Sequence, residues 1–182
     1  PSVRSATRRC TPASFGSAGG VARIWQSVML GDALAKPRLR ALETEPDRWD
    51  TSSLKRMISS GAMFTTEVKR GLIDQAPELA IVDILGSTEG GMGQSIMTKD
   101  TPDSETAKFT LLPVATVLLP DGSREVAPGS GEVGMVAQSG MVPLGYYKDS
   151  EKSAKTFKEI DGKRYAFIGD MATVEADGTI NL

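Results

Sequence analysis

The 182-residue sequence contains no histidine and a single cysteine, Cys10. The absence of histidine excludes imidazole metal ligands, and it excludes the Ser-His-Asp and Cys-His arrangements of nucleophilic catalysis within this chain. One cysteine cannot form a disulfide within the chain, so a reducing, cytoplasmic location is expected. Any chemistry must therefore depend on carboxylates, hydroxyls, lysines and backbone amides.

Long apolar runs and a strong charge of one sign are also missing. No stretch approaches the roughly 20 consecutive apolar residues of a membrane-spanning helix, so no span is expected. The formal net charge is −2, which gives no indication of a nucleic-acid partner. The remaining composition, 40% hydrophobic and 24% charged residues, is typical of a globular protein with a sizeable core.

Residues 1–20 have few large apolar side chains and lack the apolar segment of a cleavable signal peptide. They contain three arginines among many small and polar residues. This composition predicts a poorly ordered arm that precedes the folded part of the chain.

Residues 21–105 show the apolar spacing of an α/β unit. A strand is predicted over residues 54–60, a helix capped by Thr65 ends before Pro77, and the apolar run at residues 79–85 predicts a second strand. The order of strand, helix and strand favours a βαβ unit, in which the two strands are parallel.

Before this unit, we predict a helix over residues 21–26, a short buried strand over residues 27–30 and a helix over residues 32–42. Asp32 is a suitable N-cap for the second helix. Pro37 lies inside that helix and is expected to shorten or kink it.

Residues 106–182 are predicted to be rich in strands. Three Asp-Gly pairs indicate tight hairpin turns, and they lie at Asp121-Gly122, Asp161-Gly162 and Asp177-Gly178. One short helix is predicted over residues 150–157, with Asp149 as its N-cap. The predicted fold class is α/β followed by β: a partial α/β layered subdomain with parallel strands over residues 21–105, and a small β-barrel-like subdomain over residues 106–182.

The most informative stretch is the glycine-rich sequence at residues 85–93. We predict a turn at the carboxyl end of a strand, where ligands bind in open α/β sheets. The Thr88 hydroxyl beside backbone amides suits a phosphate, and the Glu89 carboxylate suits Mg²⁺. ATP brings both a phosphate and Mg²⁺. The alternative is a glycine-rich surface turn without a ligand.

Two other places could complete a nucleotide site. Asp170 follows a predicted strand, and a carboxylate there can accept hydrogen bonds from both hydroxyls of a ribose. The small residues Gly61 and Ala62 leave room for a planar base. Parallel strands would bring Gly61 and Gly86 to one edge of the sheet. Each of these residues, taken alone, could equally be an ordinary turn residue.

These motifs belong to a longer ordered series: Ser59-Ser60-Gly61-Ala62, Leu85-Gly86-Ser87-Thr88-Glu89, Gly131-Glu132-Val133, Val142-Pro143-Leu144-Gly145-Tyr146-Tyr147-Lys148-Asp149, Tyr165 to Gly169-Asp170, and Asp177-Gly178. The series resembles the adenylate-forming enzymes, the family of acyl-CoA synthetases, luciferases and peptide-synthetase adenylation domains. The resemblance covers residues 31–182, and within the family it is greatest to fatty-acid–CoA ligases.

The resemblance implies a reaction in two steps, in which a fatty or other carboxylic acid attacks ATP to give acyl-AMP, and CoA then displaces AMP. Thr88 and Glu89 are the implied catalytic residues, since Thr88 would contact the α-phosphate and Glu89 would bind Mg²⁺. Asp170 would bind the ribose, while Gly61 and Ala62 would border the adenine. The remaining implied contacts lie along the adenylate, at Gly86 and Ser87, and along the acyl group, at Gly90, Gly91, Met92 and Gly93.

The sequence departs from the family pattern at Leu85, where an aromatic residue is common, and at Ile168, where threonine is usual. It also contains no Ser/Thr/Gly-rich phosphate loop ending in Lys-Gly, and it stops before the family's hinge and C-terminal domain. The resemblance therefore implies a part of the large domain. We expect this part alone to bind ATP weakly or not at all and to turn nothing over.

A surface that the missing parts would cover could form a dimer. Two alternatives remain open from the sequence. One is a non-catalytic nucleotide-binding or interaction module, and the other is an adenylating enzyme for an aryl or amino acid.

Overall fold

A computed structural model describes residues 25–102 and 106–182. These residues form three α-helices, α1 (Gly31–Thr44), α2 (Thr66–Gln75) and α3 (Ser150–Thr156), and ten strands, β1 (Gln26–Met29), β2 (Arg56–Ser60), β3 (Ala80–Ser87), β4 (Gly90–Met97), β5 (Lys108–Leu111), β6 (Ala115–Leu118), β7 (Val133–Ser139), β8 (Phe157–Ile160), β9 (Lys163–Val174) and β10 (Thr179–Asn181). The arm predicted at residues 1–20 lies outside the described residues, as does most of the helix predicted at residues 21–26. Gln26, the last residue of that helix prediction, begins a strand instead.

Helix α1 differs from its prediction at both ends. It begins at Gly31, so Asp32 lies in its first turn and is not its N-cap. The Asp32 carboxylate accepts hydrogen bonds from the amide (2.9 Å) and the hydroxyl (3.2 Å) of Thr65. Asp32 thereby ties the start of α1 to the start of α2. The helix also continues past Pro37 to Thr44. No helix among residues 25–102 and 106–182 is both long and apolar enough to cross a membrane.

The strands form one hydrogen-bonded path in the order β1-β2-β3-β4-β5-β10-β9-β7-β6, with β8 paired to β9. The first three strands are parallel, and every later pairing is antiparallel. This arrangement confirms the predicted fold class of an α/β part followed by a β-rich part. Strands β4 and β5, on the two sides of residues 103–105, pair directly. The division into two subdomains near residue 105 stays a prediction.

The first core lies between the parallel strands and the two long helices. The apolar spacing of α2 buries Val68, Leu72 and Ile73 against the sheet, as the period of about 3.6 residues predicts. The connection of β2 through α2 to β3 is the predicted βαβ unit. It positions the ends of β2 and β3 side by side.

The β-rich part curls back on itself. Strands β4 and β7 are separated along the path by β5, β10 and β9. Nevertheless Gln138 of β7 lies directly against Gly90 of β4. The curl encloses a second core, whose fully buried members include Met92, Val136 and Ile180. This curvature is the barrel-like character expected from the hairpin signals.

An apolar surface lies exposed at the β1 edge of the sheet. It includes Trp25, Val28 and Leu30, and Met63 is exposed in the loop that follows β2. The dimer expected from the sequence stays a prediction.

A buried ion pair joins α2 to β3. The Lys69 ammonium lies 2.8 Å from the Asp83 carboxylate, and the two residues are only 4% and 5% exposed. The ammonium also lies 5.2 Å from the centre of the Phe64 ring. Because both charges are out of water, each depends on the other to offset its lost hydration.

We expect Lys69→Met to lower the free energy of unfolding by about 3–5 kcal/mol, since it leaves the Asp83 carboxylate buried without a counter-ion. The matched control is Lys55→Met, because Lys55 and Glu78 form an exposed pair at 3.8 Å; such pairs contribute about 0–1 kcal/mol. Urea unfolding of the chain measures both. Equal losses of unfolding free energy in the two variants would contradict the claim that burial makes the Lys69–Asp83 pair costly to break.

Candidate functional site

One cavity of about 450 Å³ collects most of the residues that the sequence singled out for a nucleotide. Gly61, Ala62, Gly86 and Asp170 all line it. Its other lining residues are Met63, Phe64, Asp83, Ile84, Leu85, Ala107, Phe109 and Leu182. The predicted convergence of three separate motifs is therefore present in the fold.

The parallel register of β2 and β3 creates one wall. Ser60 pairs with Ile84, so the loop that begins at Gly61 lies beside the end of β3 at Gly86. Gly61 has a φ of +77°, a conformation that residues with a side chain rarely adopt. The backbone can therefore turn sharply here and leave an open surface next to the cavity.

An irregularity in β9 creates the opposite wall. Met135 pairs with Met171 and Ala137 with Phe167, so residues 168–170 bulge where β7 has one residue. Strand β9 thus continues through the bulge as one bent strand from Lys163 to Val174. Bulges redirect side chains and are common beside active sites. This bulge brings Asp170 to the cavity, and no described residue donates a hydrogen bond to its carboxylate.

The back of the cavity includes Asp83, the carboxylate held by Lys69. Leu85, which replaces the aromatic residue common in adenylate-forming enzymes, offers an apolar surface there. Asp83 was not among the site residues predicted from the sequence. The sequence nevertheless distinguishes Asp83, because it is the only charged residue in the apolar run of residues 79–85.

The glycine-rich stretch is a tight hairpin rather than a long turn. Ser87 pairs with Gly90, so only Thr88 and Glu89 connect β3 to β4. The predicted turn over residues 85–93 is wrong in this respect, because all four of its glycines belong to strands. A Cβ on Gly86 would come within 2.9 Å of the Gly90 carbonyl oxygen. The glycines are needed for close contact between strands.

The hairpin places the predicted site residues in two environments. Ser87 and Thr88 are exposed at the tip, and they continue from the cavity wall at Gly86 without lining the cavity themselves. Met92 is fully buried in the second core. The residues predicted to line an acyl tunnel, Gly90, Gly91, Met92 and Gly93, do not line the described cavity.

The Glu89 carboxylate is held by three hydroxyl groups. Ser87 donates to Oε2 at 2.6 Å, Thr88 donates to Oε2 at 3.0 Å, and the hydroxyl of Tyr146 donates to Oε1. These hydrogen bonds, that of Ser87 first and that of Tyr146 second, lower the pKa of Glu89 from 4.5 to about 2. The carboxylate is therefore ionised at neutral pH. Tyr146 belongs to the motif at residues 142–149, but no pattern in the sequence indicated its contact with Glu89.

These groups fit a Mg²⁺–nucleotide complex in their chemistry. No cluster of three or more carboxylate, histidine or cysteine residues exists among the described residues, so Glu89 supplies a lone carboxylate. Mg²⁺ commonly takes one or two protein carboxylates and completes its coordination with phosphates and water. A site of this kind gains its affinity from the nucleotide.

A second cavity, of about 490 Å³, lies next to the first core. Its lining is mainly apolar and includes Leu42, Leu54 and Leu72, with Trp49 and Arg38 also present. None of the predicted site residues line it.

The pH dependence of folding should report the Glu89 hydrogen bonds. Because its folded-state pKa of about 2 lies below the ordinary 4.5, ionised Glu89 stabilises the fold above pH 4.5, and this contribution is lost as the pH falls toward 2. The stability difference between wild type and Glu89→Gln should therefore shrink from about pH 5 to about pH 3. Urea unfolding measures it, with Glu159→Gln on the exposed side of β8 as control. A stability difference between wild type and Glu89→Gln that does not vary with pH would contradict the lowered pKa of Glu89.

Gly90 should be intolerant of a side chain because of Gln138. A Cβ on Gly90 would lie 1.7 Å from Gln138 Oε1, so Gly90→Ala should lower the free energy of unfolding by about 1–3 kcal/mol. In a Gln138→Ala background the same change should cost less than about 1 kcal/mol. Thermal or urea unfolding measures both. The control is Gly91→Ala, whose Cβ would meet only Leu112 Cδ1 at 3.3 Å. Equal costs in the two backgrounds would show that Gln138 is not the obstacle.

Comparison with known sequences finds CoA ligases. The chain is 37% identical to the medium/long-chain-fatty-acid–CoA/3-oxocholest-4-en-26-oate–CoA ligase of Mycolicibacterium smegmatis, over 100% of this chain and 37% of that protein. It is 42% identical to the 3-oxocholest-4-en-26-oate–CoA ligase of Rhodococcus rhodochrous, over 84% of this chain and 28% of that protein. The chain thus spans little more than a third of the first relative. No family model matches it.

Comparison with solved structures finds the same fold in the N-terminal subdomain of Klebsiella oxytoca NpsA, in complex with 3-hydroxybenzoyl-AMSN. The TM-score is 0.66 at 21% identity, over 88% of this chain and 41% of that one. This likeness concerns the fold, whereas the 37% identity along the whole chain concerns the family. On that identity, and on the ordered motifs that converge in the fold, the chain belongs to the acyl-CoA ligases of the AMP-binding superfamily.

Proposed function

We propose that this chain supplies the nucleotide-binding wall of an acyl-CoA ligase. The whole protein would activate a carboxylic acid with ATP and transfer the acyl group to CoA. The observation that carries the proposal is the single cavity shared by Gly61, Ala62, Gly86 and Asp170. Residues from three distant parts of the chain meet there, as one nucleotide would require.

Each wall suits one part of an adenylate. The open backbone at Gly61 and Ala62 would lie against the adenine. The Asp170 carboxylate, free of described hydrogen-bond partners, would accept hydrogen bonds from the ribose hydroxyls. The segment from Gly86 to Thr88 would follow the phosphate, because it leads from the cavity to the hairpin tip.

Glu89 is the proposed Mg²⁺ ligand at that tip. Bound Mg²⁺ would neutralise negative charge on the phosphates as they react. The contribution of this chain is to keep the Glu89 carboxylate ionised and oriented, which the three hydroxyl donors accomplish. Preorganised charge of this kind needs no rearrangement during the reaction.

In the first proposed step, a substrate carboxylate oxygen bonds to the α-phosphorus of ATP and the bond to pyrophosphate breaks. In the second, the CoA sulfur bonds to the acyl carbon, AMP leaves with the bonding electrons, and the thiol proton passes to a base. The proposed acid is a fatty acid or a steroid-type carboxylic acid, because relatives are named for these substrates. Gly90, Gly91 and Gly93 remain the proposed acyl contacts.

Asp170→Ala should weaken ATP binding about tenfold or more, because it removes two hydrogen bonds to a charged group. Asp161→Ala is the matched control, since Asp161 lies in the exposed turn between β8 and β9. Calorimetry with Mg·ATP measures binding to the chain. Where the affinity of the 182-residue chain is too low to titrate, the KM for ATP in acyl-CoA formation by a longer protein containing it gives the same comparison. An effect of Asp170→Ala no larger than that of the control would contradict the ribose assignment.

A further inference from the structure

The Glu89 carboxylate has one partner from outside its own hairpin. Tyr146 lies 57 residues further along the chain, and its hydroxyl donates to Glu89 Oε1. We propose that Tyr146 is a positioning residue, which fixes the Glu89 carboxylate in the orientation it needs as a metal ligand. The metal part of this inference rests on the proposed function, whereas the positioning part stands on the fold alone.

The distribution of the hydrogen-bond donors around the Glu89 carboxylate supports the positioning role of Tyr146. Ser87 and Thr88 both donate to Oε2, and both belong to the same hairpin tip as Glu89. They therefore move with the tip and cannot fix it relative to the rest of the fold. Among the described partners of the carboxylate, Tyr146 alone connects the tip to another part of the chain.

The distribution of the hydrogen-bond donors between Oε1 and Oε2 also determines which oxygen can bind a cation. A carboxylate oxygen has about two lone-pair positions, and the two hairpin hydroxyls occupy those of Oε2. Among the described side-chain donors, Tyr146 alone donates to Oε1, so this oxygen is the more accessible of the two to a cation. A cation would therefore bind the oxygen that Tyr146 holds. Partners of this kind orient metal ligands and tune their affinity.

Tyr146 is itself held in place on both sides. Its amide donates to Ser153 Oγ at 2.8 Å, and its ring lies 5.5 Å from the ring of Phe157. Just before it, Arg164 donates to the carbonyl oxygens of Pro143 (3.2 Å) and Leu144 (2.8 Å). The tyrosine is thus anchored to α3, β8 and β9.

The neighbouring Tyr147 provides a matched control. It is 88% exposed, and its ring contacts only the nearby ammonium of Lys148, at 5.2 Å, among the described aromatic and cationic contacts. Tyr146→Phe and Tyr147→Phe each remove one hydroxyl and keep the ring. Only the first removes a hydrogen bond to Glu89.

Hydrogen–deuterium exchange on the 182-residue chain tests the positioning. Tyr146→Phe should speed exchange of the amides of Glu89 and Gly90 by about threefold or more, because the lost bond involves a charged group. Tyr147→Phe should exchange like wild type. In a Glu89→Ala background, Tyr146→Phe should have no further effect on the hairpin. Wild-type exchange in Tyr146→Phe, or an equal acceleration in the Glu89→Ala background, would overturn the inference.

The metal part is tested in acyl-CoA formation by a protein that contains the chain. Tyr146→Phe should raise the Mg²⁺ concentration for half-maximal rate by about tenfold, with little change in KM for the carboxylic acid. An unchanged Mg²⁺ requirement would overturn the metal part. If the wild-type protein forms no acyl-CoA, the proposed function fails and the metal part fails with it, while the exchange experiment still decides the positioning.

Discussion

The parallel pairing of β2 with β3 is the constraint on which the candidate site depends. It fixes the loop at Gly61 beside the end of β3, so that two glycine-containing segments face one cavity. The pairing is maintained by α2, which packs its apolar face on the sheet and directs Lys69 to Asp83. Because Asp83 also lines the cavity, the interaction that attaches the helix also fixes the back of the candidate site.

The rest of the candidate site depends on two features, the hairpin that connects β3 to β4 and the curvature of the β-rich part. The two-residue hairpin leaves Glu89 at the edge of the sheet, where it is held by groups from both sides. The bulge in β9 brings Asp170 to the opposite side of the cavity. The two carboxylates thus have different surroundings. Glu89 is held by three hydroxyls, whereas Asp170 has no described hydrogen-bond donor.

Local patterns in the sequence correctly predicted the elements that form the cavity wall at Gly61 and Gly86. Apolar periodicity and turn residues were sufficient for the βαβ unit, because its elements are close together in the chain. Parallel strands then required Gly61 and Gly86 to share an edge. The helix cap at Asp149 was also predicted, and its carboxylate accepts the Lys152 amide at 2.9 Å. In these cases the deciding interactions are local.

The failures share a different cause. The glycines at residues 86–93 were interpreted as a turn, whereas they allow strands to approach closely, a requirement set by partner strands. Asp32 was predicted as an N-cap, but its carboxylate bonds to Thr65 on another helix. The contact of Tyr146 with Glu89 could not be predicted from the sequence, because the two residues are 57 positions apart. Long-range contacts override local preference at such positions.

In the proposed function, the cavity between Gly61 and Asp170 receives an adenylate. A crystal structure of a protein that contains this chain, with an acyl-adenylate bound, tests it most directly. We expect that the adenine lies against Gly61 and Ala62, that Asp170 accepts hydrogen bonds from the ribose, and that the phosphate lies near Thr88. An adenylate bound elsewhere, for example in the apolar cavity beside Leu42 and Leu54, would contradict it.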